Sequence, residues 1–214
     1  MVISVIPRIL PFLMGLLCLL PVGVTIYTLF EMAVANDWGL KFAPAQVDHL
    51  PLALHGVGMS LFLVIGLFQM NTRLRMRRPE LHRKLGRIAG MGAILGGITG
   101  IWMTLLHLEI STPLLVGARL IIGTAMTLFV ILAIRDAKAR RIQSHRAWML
   151  RAYAFAFTSA TLSIIFLPAI LIFGEPSPLL SDFVQIMGWV INLAIAEIYL
   201  RHKGRKSPLK GATA

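Results

Sequence analysis

Charge is scarce in this chain and cysteine is almost absent. Charged residues make up 14% of the 214 positions beside 57% hydrophobic ones, whereas an average soluble domain is about a quarter charged. A surface facing water cannot be covered with so few charges. The lone Cys18 excludes a disulfide framework and a thiolate metal cluster, and its place in the first apolar run gives it the ordinary role of a small packed side chain. The motifs of soluble catalysis are missing as well. There is no P-loop, no H-E-x-x-H and no Ser/His/Asp order at a strand–helix elbow, so no hydrolase or transferase constellation marks the chain as an enzyme. The glycines between Gly86 and Gly100 lie inside an apolar run and do not make a dinucleotide fingerprint.

Long apolar runs are what the chain has in their place. A hydrocarbon core asks for about 20 mainly apolar residues per helix. Six segments meet this: Ile9 to Phe30, Pro51 to Met70, Ile88 to Leu108, Pro113 to Ile134, Trp148 to Phe173 and Phe183 to Leu200. They are rich in Leu, Ile, Gly and Ala without strict alternation, which argues for helices and against a membrane barrel. The expected fold is all-α, a polytopic bundle of six transmembrane helices.

Lys and Arg fall in every second loop. With both termini cytoplasmic, the inner segments hold 19 of the 21 basic residues and leave only Lys41 and Arg119, while the outer segments hold six of the nine acids. The positive-inside rule then orients the bundle, termini inward, in a bacterial cytoplasmic (inner) membrane. Single-cysteine labelling checks this. In a Cys18→Ser background, a cysteine at Arg77 labels only from the cytoplasm and one at Lys41 only from outside; equal labelling of both from outside overturns the orientation. The net charge of +12 would suggest nucleic acid in a soluble protein. Here topology and attraction to anionic lipid headgroups account for it, and nucleic acid is not an expected partner. Arg8 ahead of an apolar run resembles a signal peptide, but the run is too long for an h-region and lacks an A-x-A-like site. It reads as a retained first helix, bent near Pro21.

One membrane domain is expected over residues 1–200, followed by a basic, disordered cytoplasmic tail over 201–214. The longest outer segment, Glu31 to Leu50, reads as a short interfacial helix or a lid. Small residues recur every fourth position in the third span, as Gly92, Gly96 and Gly100 and as Ala89, Ala93 and Gly97, and in the fifth as Ala152, Ala156 and Ala160. Such rows let backbones approach closely and put both helices near the bundle centre. Pro168 predicts a kink or an early end to the fifth span. His82-Arg83 and His145-Arg146 each stand at the cytoplasmic mouth of an outward-going helix, with Arg87 or Arg151 about one turn further in, a faint echo of duplicated hairpins.

The same residues carry a family resemblance. The motif LHRxLGR over residues 81–87, the motif HRxWMxRxYA over 145–154 and the late Trp189, Asn192, Leu193 and Glu197 resemble the hallmarks of a bacterial family of multi-pass membrane proteins catalogued only as a domain of unknown function. His55, followed by Gly58, matches a further family position. The resemblance covers about Leu50 to Leu200 and leaves out the first span and the tail. Where the family often shows an aromatic residue after Arg87 and Ile88, this chain has Ala89 and Gly90, which removes a ring-stacking role there. The resemblance implies a fold and brings no activity with it.

Four histidines lie near the expected membrane boundaries, and topology sorts them into an outer pair, His55 and His107, and a cytoplasmic pair, His82 and His145. Two imidazoles at matching depth on neighbouring helices are what a haem b iron takes as axial ligands. A haem at each leaflet would make a relay to or from a quinone or another redox partner; no metal beyond haem iron is expected. The alternative for each ring is a headgroup-level anchor or a satisfied hydrogen-bonder. Arg119 stands about two turns inside the fourth span, where an unpaired charge costs about 3 kcal/mol. Its candidate partners are Glu109, Asp48, Glu175, Asp182 or a haem propionate. Glu197 lies about one turn inside the cytoplasmic end of the last span. It can pair with Arg201 at i+4 or with Arg87 or Arg151, and with His82, His145, Trp148 and Asn192 these would line a polar pocket. Three functions stay open: a haem b protein moving electrons across the membrane, a small-solute transporter with Arg119 and Glu197 marking its path, and an accessory or assembly protein whose polar residues only hold helices together.

Overall fold

Each expected apolar run is helical. The computed structural model describes residues 2–34, 48–174 and 176–205. Among them are α1 (Val2–Val34), α2 (His49–Gln69), α3 (Thr72–Arg77), α4 (Pro79–Leu106), α5 (Pro113–Lys138), α6 (Ile142–Phe173) and α7 (Pro178–Arg205), with a short 3-10 turn at Leu108–Ile110. All but α3 contain a stretch long and apolar enough to cross a membrane. Residues 35–47, most of the segment expected to form a lid, and the tail beyond Arg205 lie outside the described residues.

Most of the spanning helices start earlier than their apolar runs. α4 begins nine residues before Ile88, α6 six before Trp148 and α7 five before Phe183. Hydropathy registers only the part inside hydrocarbon, whereas a helix keeps its ladder through the headgroup zone, where Arg and His remain solvated. Pro79 and Pro113 stand at the first helical positions, where the proline ring presets φ and its missing amide is not needed. Thr112 caps α5 by accepting from the Leu115 amide, and Asn71 caps α3 by accepting from the amides of Arg73 and Leu74. The early end expected at Pro168 does not occur: α6 continues to Phe173 and stops at Gly174, whose φ of 78° suits glycine. A proline at this place removes one ladder bond, to the Ile164 carbonyl, near a helix end.

α4 is the most deeply packed span, with α2 on one side and α5 on the other. Its small residues serve both faces. A Cβ on Gly92 would come within 2.7 Å of the Gly58 carbonyl oxygen, and one on Gly58 equally close to that of Gly92. On the other face Gly97 and Gly123 oppose each other, a Cβ on Gly123 lying 3.2 Å from the Gly97 carbonyl oxygen. α6 packs on α5, α7, α1 and α2, and Ala152, Ala156 and Ala160 are buried on it. The Tyr153 hydroxyl donates to the Leu63 carbonyl at 2.9 Å and lies 3.9 Å from Cys18 Sγ, which ties α6 to α2 and α1. Its ring meets Phe62 edge-on at 5.6 Å.

The α5–α6 turn is locked by a carboxylate. Asp136, with only 2% of its side chain exposed, accepts from Arg141 Nη2 at 2.6 Å and Nε at 3.1 Å and from Ser144 Oγ, and Arg135 lies within 3.5 Å. The turn also holds Arg140 at φ 58°. Asp136→Ala is expected to cost about 2 kcal/mol through lost charge-assisted bonds, while Arg140→Gly gains about 1 kcal/mol by relieving the left-handed backbone. Unfolding in detergent checks both, and the opposite signs are the result to look for.

Candidate functional site: a polar seam between two helices

α7 carries Asp182, Gln185, Asn192 and Glu197 within one arc of about 140°, at 3.6 residues per turn. Lipid does not tolerate such a face, so it must turn towards protein. It turns to α6, which presents Thr161, Thr158 and Arg151, and at its N-terminal end meets Arg119 of α5. Along the axis the line from Asp182 to Glu197 runs about 22 Å, most of the ~30 Å hydrocarbon thickness.

At one end Arg119 Nη1 donates to Ser111 Oγ at 2.8 Å and Nη2 to Gln185 Oε1 at 3.2 Å. Asp182, 6% exposed, accepts from the Thr112 hydroxyl at 2.5 Å, and Arg119 and Asp182 lie within electrostatic reach of each other. Arg119, Asp182 and Gln185, with Ser181, border a cavity of about 360 Å³ whose apolar wall is Leu115, Phe166, Ile170 and Pro176. Midway, Asn192 Nδ2 donates to the hydroxyls of Thr158 at 3.0 Å and Thr161 at 3.1 Å. The helices come close here, since a Cβ on Gly188 would stand 2.9 Å from Thr158 Cγ2. At the basic-loop end Arg151 meets Glu197 with both arms, Nε at 2.5 Å and Nη2 at 3.1 Å from its two oxygens. The guanidinium also lies over the Trp148 ring at 4.8 Å, and Trp148 leans on Phe129 of α5 at 5.3 Å.

Arg119, Asn192, Trp148, Arg151 and Glu197 therefore belong to one construction. Arg87 does not: it is exposed and has no ion pair among the described residues, and its helix, α4, does not pack against α7. Of the acids named for Arg119, Asp182 is near. Glu109 and Asp48 lie beside His107, and Glu175 is outside the described residues. Gln185, Thr158 and Thr161 had no place in the sequence reading.

His55 and His107, expected as the outer pair, are not brought together. His55 holds its Nδ1 2.8 Å from the Gly96 carbonyl oxygen, with its ring 3.3 Å from the place a Gly100 Cβ would take. His107 is the C-terminal cap of α4, accepting at Nε2 from the Asp48 amide at 3.2 Å. Seven helical residues beyond Gly100 is about 10 Å of rise, and each ring is engaged on a different backbone group. α2 begins at His49, so His55 lies nearly two turns in, and the matching depth expected of the pair does not hold. On the basic side, His82 and His145 lie within electrostatic reach of each other, on helices that α2 and α5 hold apart. His145 Nδ1 is 2.9 Å from the Ala133 carbonyl oxygen, while His82 Nδ1 and Gln69 Nε2 are buried without a partner. A ring nitrogen fixed on a carbonyl with the other left free is the habit of metal-ligating histidine, and of this pair His145 alone shows it. Among the described residues no three or more His, Cys, Asp or Glu gather as a metal site.

A family model described as "Predicted membrane protein (DUF2306)" matches residues 52–200. The chain belongs to this family. No curated protein and no solved structure matches it. The DUF2306 stretch takes in every residue of the seam and leaves out α1. Its HRxWMxRxYA segment is where α6 fastens to its neighbours: His145 to α5, Trp148 to α5, Arg151 to α7 and Tyr153 to α2.

Proposed function

We propose that this DUF2306 protein is a transporter that carries a small solute across a bacterial cytoplasmic membrane along the α6–α7 seam. The cavity at Arg119 is its outer station and the Arg151–Glu197 pair its cytoplasmic one, with the basic loops resting against anionic headgroups. The observation that carries the reading is alignment: three separate polar stations lie on one face of α7 over about 22 Å, where a clamp between two helices would need only one. Intramembrane ionisable groups are costly and mark pathways. The close approach at Gly188 and Thr158 is the constriction between stations, and opening it breaks bonds worth only about 1 kcal/mol each. α7 packs chiefly on α6, which leaves it free to rock.

Proteoliposomes test this with a panel of labelled small solutes. Uptake above protein-free vesicles, reduced more than tenfold by Asn192→Leu in a variant that melts like the parent, is expected; uptake equal to empty vesicles for every solute overturns it.

A second reading rests on the unpartnered His82 Nδ1, with His145 within its electrostatic reach: one haem b at the cytoplasmic end, exchanging electrons with a quinone or another redox partner. It does not extend to a relay through the membrane, because His55 and His107 are split. A Soret band in the purified protein, lost in His145→Ala, supports it, and a colourless protein ends it.

A further inference from the structure

We infer that the cavity at the outer end of the seam takes a zwitterion with an apolar arm. This deepens the transport reading by naming the solute's chemistry, and it is tested by binding, so that either can fail alone. Arg119 of α5 and Asp182 of α7 line one cavity of about 360 Å³ and feel each other's charge. Yet among the described residues no carboxylate comes within ion-pairing distance of Arg119. Opposite charges at a membrane boundary ordinarily close on one another, because each left alone has lost its water.

Neutral partners hold these two apart. Ser111 and Gln185 fork the guanidinium. Asp182 is held at Oδ2 by Thr112, which is itself fixed as the cap of α5. Asp182 Oδ1 takes no hydrogen bond from the described residues. The space between an anchored cation and an anchored anion excludes most ligands. A plain anion meets Asp182, a plain cation meets Arg119, and a neutral amphiphile leaves both charges unpaired. A head bearing an acid group for Arg119 and an ammonium for Asp182 satisfies both, with its arm on Leu115, Phe166 and Ile170.

Two sources present that chemistry, an apolar amino acid from solution and an ethanolamine phospholipid from the outer leaflet. Full-length protein in phosphatidylglycerol nanodiscs is titrated with L-leucine, and with 4-methylpentanoate and isoamylamine, which keep the arm and one charge each. In parallel, native mass spectrometry of protein from mixed phosphatidylethanolamine and phosphatidylglycerol micelles reads which lipid is retained. Leucine binding at least tenfold tighter than both analogues supports the site with a soluble ligand. Selective retention of phosphatidylethanolamine without leucine binding supports it with a lipid one. Arg119→Gln and Asp182→Asn should each weaken whichever is seen at least tenfold. The inference is overturned if wild-type protein prefers neither leucine to its analogues nor phosphatidylethanolamine to phosphatidylglycerol, a result that needs no variant to fold. Binding unchanged in both variants overturns it equally.

Discussion

Glu197→Ala is expected to lower the stability of the folded protein by about 3 kcal/mol, the low end for breaking one side of a buried ion pair. The low end applies because the Arg151 and Glu197 side chains keep 23% and 31% of their surface exposed. Arg151→Ala should cost a similar amount, and the double variant clearly less than the sum, since the second removal takes away a charge the first had orphaned. The two-armed geometry, 2.5 and 3.1 Å, makes the pair more than a screened surface contact. A charge swap, Arg151→Glu with Glu197→Arg, should recover only part of the loss: an arginine at 197 no longer lies over Trp148, forfeiting a cation–π contact of about 0.5–1 kcal/mol. In the transport reading each single variant also loses uptake at least tenfold, because the cytoplasmic station is gone. A double-mutant cycle by denaturant unfolding in micelles decides the structural half, and strictly additive costs would mean that the pair does not hold α6 to α7.

That pair was legible from residue types and depth alone. A carboxylate and guanidiniums one turn inside the same leaflet must find one another, and only the choice among Arg87, Arg151 and Arg201 needed coordinates. Asn192 was legible as a residue but not in its partners. Thr158 and Thr161 give no signal, because a threonine inside an apolar helix satisfies its hydroxyl on the carbonyl one turn back, as Thr28, Thr99 and Thr127 do here. The cavity at Arg119 was hidden for a different reason. Hydropathy started the last span at Phe183 and left Asp182 as a loop acid, whereas α7 begins at Pro178 and turns Asp182 inward. Errors at both helix ends made His55 and His107 look matched: α2 starts two residues before Pro51, and α4 stops at Leu106 with His107 as its cap.

The spans themselves were legible because apolar length is the strongest constraint a bilayer imposes. α3 was not: six residues with three arginines carry no apolar run, and their helix depends on the Asn71 cap. The rows of small residues pointed to close packing without saying against what. Coordinates divide them between α2 and α5, a division that side-chain size alone does not encode.

Gly58→Leu is expected to leave no folded bundle. Gly58 and Gly92 cross with each backbone in the other's Cβ position, 2.7 Å from a carbonyl oxygen, and a backbone cannot swing aside as a flexible side chain does. Even alanine at 58 should cost about 1–3 kcal/mol by overpacking, and leucine must push α2 off α4. In lipid no hydrophobic force restores the contact, because tails solvate leucine as well as protein does, so separation forfeits the van der Waals attraction that made the interface. The damage would travel along α2, whose His55 reaches the Gly96 carbonyl at 2.8 Å only while the crossing is tight. Gly117→Leu on α5 is the matched control, since a Cβ there meets no atom within 4 Å. Fluorescence size exclusion and melting of the two variants should differ sharply, with Gly117→Leu monodisperse and near the parent melting point. If both melt alike, the glycine crossing is not what joins α2 to α4.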